Sequence, residues 1–340
     1  MNKLMMVMAA LGTAVGCTSD PSVAFTAVSQ LDVPTNGVVV RDGALADAAM
    51  ADQVCVLDVQ AGRALFDSDL GVGTDRLLDA YGDRTLAALG DEVAVLPRDG
   101  GSPVESWTLD ARDGRLTDDG VVLVSQVDGC AVTFIDDATA SFRVPGVDCA
   151  GALAMAVDRP AGLVWLADGR ALARIGSDGA FARWDDVPAD ALSLDAAGGL
   201  VLGALGDDWL QTIDSDGEPV WNVVLDGPLV DVEVAPGSGL AGVVVGDADS
   251  RSHLALVDVA TGVDVGDHPL PTEVDVAFSG DGHTMALMHP EGVVFYDVDV
   301  DRGALALPDG PIGRGAAGAA AGLGAGAVLG TALMIAVVMD

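Results

Sequence analysis

Residues 229–262 read LVDVEVAPGSGLAGVVVGDADSRSHLALVDVATG, and residues 273–303 read EVDVAFSGDGHTMALMHPEGVVFYDVDVDRG. Both begin with apolar and acidic residues in alternation, the two-residue period of a strand with one buried face. A turn rich in Gly, Ser or Asp follows. Then comes an apolar run, LAGVVVG or TMALM, short enough for a strand buried on both faces. A second turn leads to a third strand ending in Asp.

The same plan recurs outward along the chain. Residues 191–221 (ALSLDAAGGLVLGALGDDWLQTIDSDGEPVW) and 151–184 (GALAMAVDRPAGLVWLADGRALARIGSDGAFARW) repeat it, and weaker copies occupy 115–137, 76–100 and 31–45. Taking Asn36, Asp83, Asp119, Ala161, Gly198, Ser238 and Asp281 as first-turn landmarks, the intervals are 47, 36, 42, 37, 40 and 43. A period near 40 with three to four short strands per unit is the mark of propeller blades, each too thin to bury both faces alone. Eleven Asp-Gly pairs, among them Asp168-Gly169, Asp178-Gly179 and Asp216-Gly217, supply the positive-φ positions that hairpins need. The expectation is an all-β, seven-bladed β-propeller over residues 28–308, with Val23–Gln30 adding the outer strand that closes the ring.

VDVAFSGDGHTMALM and LALVDVATG resemble the YVTN/WD40-like repeats of bacterial seven-bladed propellers. TIDSDGEPVWNVVLDGP and LVDVATG are faintly similar to quinoprotein-type blades, including those of an outer-membrane assembly lipoprotein. The tryptophan that those blades place after the Thr-Gly is missing, since Val263 follows Thr261-Gly262. The resemblance implies a fold and no particular chemistry.

Charge narrows the function classes. Acidic residues number 52 against 16 basic ones, for a net charge of -36 in 340 residues. By count 46 of the acids are Asp and six are Glu, a bias toward turns and away from helices. Such a chain repels a phosphate backbone, which excludes direct nucleic-acid binding. A carboxylate surface solvated in high salt is one account of the acidity, and calcium binding is the other.

The ends differ from the middle. MNKLMMVMAALGTAVGCTSD places Lys3 before an apolar run from Leu4 to Leu11 and then small residues, the order of a secretory signal. Ala14-Val15-Gly16-Cys17 resembles a bacterial lipoprotein signal, with Ala14 where that family usually has Leu. The resemblance implies cleavage after residue 16, lipid on Cys17 and, with Thr18 following, sorting to the outer membrane. Residues 17–27 then read as a tether and 309–315 as a linker. From Ala316 to Met339 there are 24 uncharged residues, enough for a helix to cross a bilayer. Gly318, Gly322, Gly326 and Gly330 recur every fourth residue, a side-chain-free stripe against which a second helix can pack. The tail resembles glycine-zipper segments of bacterial envelope lipoproteins. Membrane insertion, packing on another protein's helix and a Gly/Ala linker all remain open.

Chemistry-bearing residues are sparse. Cys130 and Cys149 sit in a compartment that permits a disulfide, and Cys55 in VCVLDV reads as buried. His253, His268, His283 and His289 fall in the last two repeats, near Asp267 and Asp281, without compact metal-ligand spacing. DVDVDRG (297–303) lacks the Gly and Glu placement of a calcium loop, and Asp214–Pro219 and Gly246–Ser252 read as turns. Ser238 lies between two glycines in a pattern unlike a nucleophile elbow, and Trp107, Trp165, Trp184, Trp209 and Trp221 are expected between blades.

The leading expectation is therefore a non-enzymatic, membrane-anchored envelope lipoprotein whose propeller binds a protein or envelope polymer, with no cofactor apart from the open question of calcium. The alternative is a secreted, lactonase-like hydrolase with a metal in the channel. That reading requires carboxylates or histidines from several blades to converge on the axis.

Overall fold

The computed structural model describes residues 22–301, apart from 32–36, 41–44, 51–52, 61–62, 70–75, 90, 98–101, 127–128, 137, 152, 160, 195–198, 236–237, 247–251, 271–274, 280–282 and 290–291. Strand β1 is Ser22–Leu31. Sheet I holds β2 (Gly37–Val40), β3 (Leu45–Met50), β4 (Gln53–Asp58) and β5 (Arg63–Asp69). Sheet II holds β6 (Arg76–Tyr81), β7 (Arg84–Leu89), β8 (Glu92–Pro97) and β9 (Glu105–Thr108). Sheet III holds β10 (Ala111–Leu116), β11 (Val121–Ser125), β12 (Ala131–Ile135) and β13 (Thr139–Arg143). Sheet IV holds β14 (Ala154–Asp158), β15 (Leu163–Ala167), β16 (Ala171–Gly176) and β17 (Phe181–Asp185). Sheet V holds β18 (Ala191–Leu194), β19 (Leu200–Gly203), β20 (Trp209–Ile213) and β21 (Pro219–Val224). Sheet VI holds β22 (Leu229–Ala235), β23 (Leu240–Gly246), β24 (Ser252–Asp258) and β25 (Asp264–Leu270). Sheet VII holds β26 (Asp275–Phe278), β27 (Thr284–His289) and β28 (Gly292–Asp301), with β1 as its fourth strand.

These are seven four-stranded antiparallel meanders. The first strands touch in succession, β2 to β6, then β10, β14, β18, β22 and β26, and β26 touches β2, which closes a ring around an axis. β1 pairs with β28 from Ser22↔Asp301 to Leu31↔Val293, with a bulge between Ala27 and Ser29. The propeller thus already includes Ser22, inside the stretch expected as a tether and ahead of residue 28. The signal segment, Cys17, the linker and the four tail glycines lie outside the described residues. Among the described residues, no helix is long and apolar enough to cross a membrane.

Burial peaks at the second strand in sheets III, V and VI. The second strands are covered on both faces and are apolar nearly throughout, as in VVLVS of β11 and LVLG of β19, where every residue is buried. Outer strands β13 and β17 show strict exposed–intermediate alternation, because only one face has a neighbour. Core clusters sit between consecutive sheets: II with III, III with IV, IV with V, V with VI, VI with VII, and VII with I. Large apolar side chains from both partners fill each gap, which is why a lone sheet of this size would not hold together.

The tryptophans pack within and between sheets. Trp165 is fully buried and stacks on Trp184, ring centroids 5.4 Å apart, within one sheet. Trp184 on β17 in turn lies against Gly217, in the last turn of sheet V. Trp221 on β21 repeats the device one sheet on. Its Nε1 donates to the Val259 carbonyl at 2.7 Å, and its ring covers Gly262, whose φ is +69°. The Thr261-Gly262 turn that lacks a following tryptophan is thus covered by a tryptophan from the preceding sheet.

Candidate ligand site at the propeller axis

Three of the first strands, β6, β10 and β22, carry charges within the strand. Asp79 on β6, Arg115 on β10, Met155 on β14, Ser193 on β18 and Glu233 on β22, with Arg159 just after β14, line a cavity of about 100 Å³ contributed by five different sheets.

The two guanidinium groups are held by the protein itself. Arg115 Nη1 donates to Asp113 Oδ1 at 2.6 Å and to the carbonyls of Gly114 at 2.8 Å and Leu78 at 3.0 Å, and Nη2 reaches the Met155 carbonyl at 3.3 Å. Burial works against its charge, but Asp113, Asp79 and Glu233 outweigh that and raise its pKa. Arg159 Nη2 donates to Asp79 Oδ2 at 2.8 Å and Nε to the Leu116 carbonyl at 2.8 Å, and its guanidinium carbon lies 4.5 Å from the centre of the Tyr81 ring. Asp79 Oδ2 also accepts the Leu116 amide at 2.7 Å. Tyr81 donates to Asp118 Oδ1 at 2.6 Å, a bond that, with burial, raises the phenol pKa.

Glu233 differs. No described side chain or amide bonds its carboxylate, which faces the cavity. Burial pushes its pKa up to about 8, the Asp231 charge adds to this, and Arg115 opposes it. Asp231, on the same strand, accepts the Val232 amide at 2.8 Å and the Val276 amide at 3.1 Å, yet burial still takes it to about 6. Ser193 Oγ accepts the Val234 amide at 2.7 Å, locking β22 to β18. Chemically, the cavity can keep a proton on Glu233 near neutral pH and present it to a small polar group.

A second hollow of about 210 Å³ opens where the first turn of sheet III meets sheet IV, lined by Thr117, Asp118, Asp119, Asp136, Arg159 and Ser177 among others. Arg159 thus borders both spaces.

The sequence candidates lie elsewhere. Cys130 and Cys149 are joined, Cα atoms 5.1 Å apart, tying sheet III to the segment entering sheet IV. His253 is on the third strand of sheet VI, its Nε2 3.4 Å from Asp226 Oδ1, and His268 is on the outer strand, edge-on to Tyr296 at 5.4 Å, with burial lowering its pKa. His283 is an exposed residue before β27 and His289 ends that strand. His253, His268 and His283 do not meet at the axis, and among the described residues no group of three metal-binding side chains forms. Asp297 and Asp299 are exposed on β28, opposite Thr26 and Ala24, with Val298 buried between them, so this run is strand and not a calcium loop. Asp214 Oδ1 accepts the amides of Asp216 at 2.9 Å and Glu218 at 3.0 Å in a tight turn. Ser238 Oγ donates to the Ala235 carbonyl at 3.1 Å, also in a turn. Glu233 was missed because VDVEV reads as plain strand alternation. The available signal was two acids on the strand nearest the axis.

No family model matches the chain, and no curated protein sequence does. Matches to solved structures number 1217 chains, so the scaffold is one that many proteins share. One of them, described as a streptogramin B lyase structure, superposes with a TM-score of 0.60 at 12% identity, covering 82% of this chain and 98% of that one. At that identity the likeness concerns the fold alone: the chain is a β-propeller protein.

Proposed function

We propose that the protein is a non-enzymatic binding scaffold of the bacterial cell envelope. Lipid on Cys17 and the glycine-striped tail hold it at a membrane, the outer membrane by the residue after Cys17, and the propeller engages a protein or envelope polymer. The observation that carries this reading is the use made of the axial cations. The hydrogen bonds that Arg115 and Arg159 make to described residues all run to Asp113, Asp79 and backbone carbonyls, and the cavity beside them, about 100 Å³, is well below the ~300 Å³ at which small-molecule pockets begin. The axis is built as a clamp between sheets, which leaves the outer surface for recognition.

The hydrolase reading keeps one supporting observation: the carboxylates of Asp79 and Glu233 line one cavity from two different sheets, and burial raises the Glu233 pKa to about 8, in the range of a general acid. Photo-cross-linking from membranes separates the two. With a photoreactive residue placed in turn at exposed positions of each sheet, one recurrent adduct at one surface supports the scaffold. Absence of any adduct, together with a small ester or lactone whose turnover is lost in Glu233→Gln, overturns it.

A further inference from the structure

β21 is the outermost strand of sheet V, and no described strand pairs with its outer edge. Its sequence, PVWNVV, contains no charge. The outer strands β5 (RALFDSD), β9 (ESWT), β13 (TASFR), β17 (FARWD) and β25 (DVGDHPL) all carry charges, the ordinary guard against pairing with another chain. β1 is also uncharged, but its exposed described side chains are Thr26, Ala27 and Gln30. β21 instead exposes Val220 to 44% and Val224 to 74%, with Asn222 exposed between them. In a chain with 52 acids, an apolar strand left open to water is an exception.

The edge is also fixed in position. Trp221 is anchored through Val259 and Gly262 of the next sheet, and the Leu225 amide donates to the Asp208 carbonyl at 2.6 Å. A rigid edge of this kind can accept an extended segment, with main-chain hydrogen bonds along it and alternate side chains against Val220 and Val224. Charge selects the occupant. Asp216 and Glu218 precede the strand, Asp207 and Asp208 flank its far end, and all four are exposed with no ion pair to a described residue. A second copy paired antiparallel would set one copy's Asp207 and Asp208 against the other's Asp216 and Glu218, and a net charge of -36 opposes it further.

We infer that β21 is the docking edge for an extended, alternately apolar segment of a partner protein, with basic residues at both ends about 20 Å apart. The inference rests on the scaffold reading and names the partner's chemistry. The test uses the full-length protein and two labelled peptides, Lys-Val-Thr-Val-Thr-Val-Lys and the same sequence with Glu at both ends, followed by fluorescence anisotropy at low salt. The basic peptide is expected to bind about tenfold tighter than the acidic one, and Val220→Lys with Val224→Lys to weaken it about tenfold. Hydrogen exchange should slow across β21 when the basic peptide is bound, and the melting temperature of the double variant should match the parent. Equal affinity for both peptides, no binding, binding unchanged in the variant, or a dimer paired through β21 each overturns the inference. If cross-linking finds a partner on another surface while the peptide fails, this edge is wrong and the scaffold stands. If neither yields a partner, both fall.

Discussion

Asp79 and Arg159, 80 residues apart in the chain, meet with Oδ2 and Nη2 2.8 Å apart, and the same Asp79 oxygen takes the Leu116 amide. One carboxylate thus holds sheets II, III and IV together. Removing it leaves Arg159 without its ionic partner and a strand amide without an acceptor. Asp79→Ala is expected to lower unfolding stability by about 3 kcal/mol, with Asp79→Asn milder because it keeps an acceptor. Denaturant midpoints measure both.

Glu233 makes stability depend on pH in a defined direction. Its pKa in the folded protein, about 8, lies above the ordinary 4.5, so the folded state retains a proton that the unfolded chain has lost. Stability therefore falls as pH rises from near the unfolded value to about 8 and levels off above it. Asp231 acts likewise over a lower window, up to about 6. Arg115, Asp79, Arg159 and Asp231 are the charges facing Glu233, and all remain in Glu233→Gln. That variant should lose the slope between about pH 6 and 8, so its stability relative to the parent should grow by roughly 2 kcal/mol across those two pH units. Thermal melts of both proteins across this range decide it.

Gly262 tests the packing between sheets V and VI. A Cβ there would lie 2.8 Å from Trp221 Cδ2, at a φ of +69° that other residues avoid. Gly262→Ala is expected to cost roughly 2 kcal/mol. In a Trp221→Leu background the added cost should shrink, since the steric part is relieved. Chemical denaturation of the four proteins gives the coupling.

The Cys130–Cys149 link closes a loop of separation 19. Reduction, or Cys130→Ser with Cys149→Ser, should lower stability by about 3 kcal/mol through the freedom returned to the unfolded chain. Melts with and without reductant should agree with the double variant.

Salt should stabilise the protein. With a net charge of -36, self-repulsion is strongest where screening is weakest. The melting temperature is expected to climb steadily from about 0.01 to about 1 M NaCl, as the screening length falls from ~30 to ~3 Å. Millimolar calcium should add nothing beyond its ionic strength; a saturable calcium shift would instead assign the acidity to bound cation.

The repeat was legible because turns punctuate it. Asp83, Asp119, Ala161, Gly198, Ser238 and Asp281 all fall between the first and second strands of a sheet. Asn36 is the exception: it precedes β2, and the corresponding connection lies between Val40 and Leu45, around Asp42-Gly43. The Asn-Gly pair mimicked a hairpin turn where the chain was only entering the sheet. The axial site was not legible, since Asp79, Arg115, Arg159 and Glu233 occupy unremarkable strand and turn positions that only ring closure brings together. The free edge at β21 was equally hidden. PVWNVV looks like any buried strand until the sheet order shows that no described strand lies beyond it.

The pairing of β1 with β28 sets a timetable for biosynthesis. The first strand of the propeller to leave the ribosome is completed by the last, so β1 waits while about 260 residues are added, roughly half a minute at ordinary elongation rates. Throughout that interval β1 lacks its partner and the ring is open at sheet VII. A chain halted between β25 and β28 holds every strand of sheets I to VI, yet cannot seal them into a circle. Closure of the ring therefore waits on β28, and a product truncated before that strand is exposed as such by its unmatched first strand.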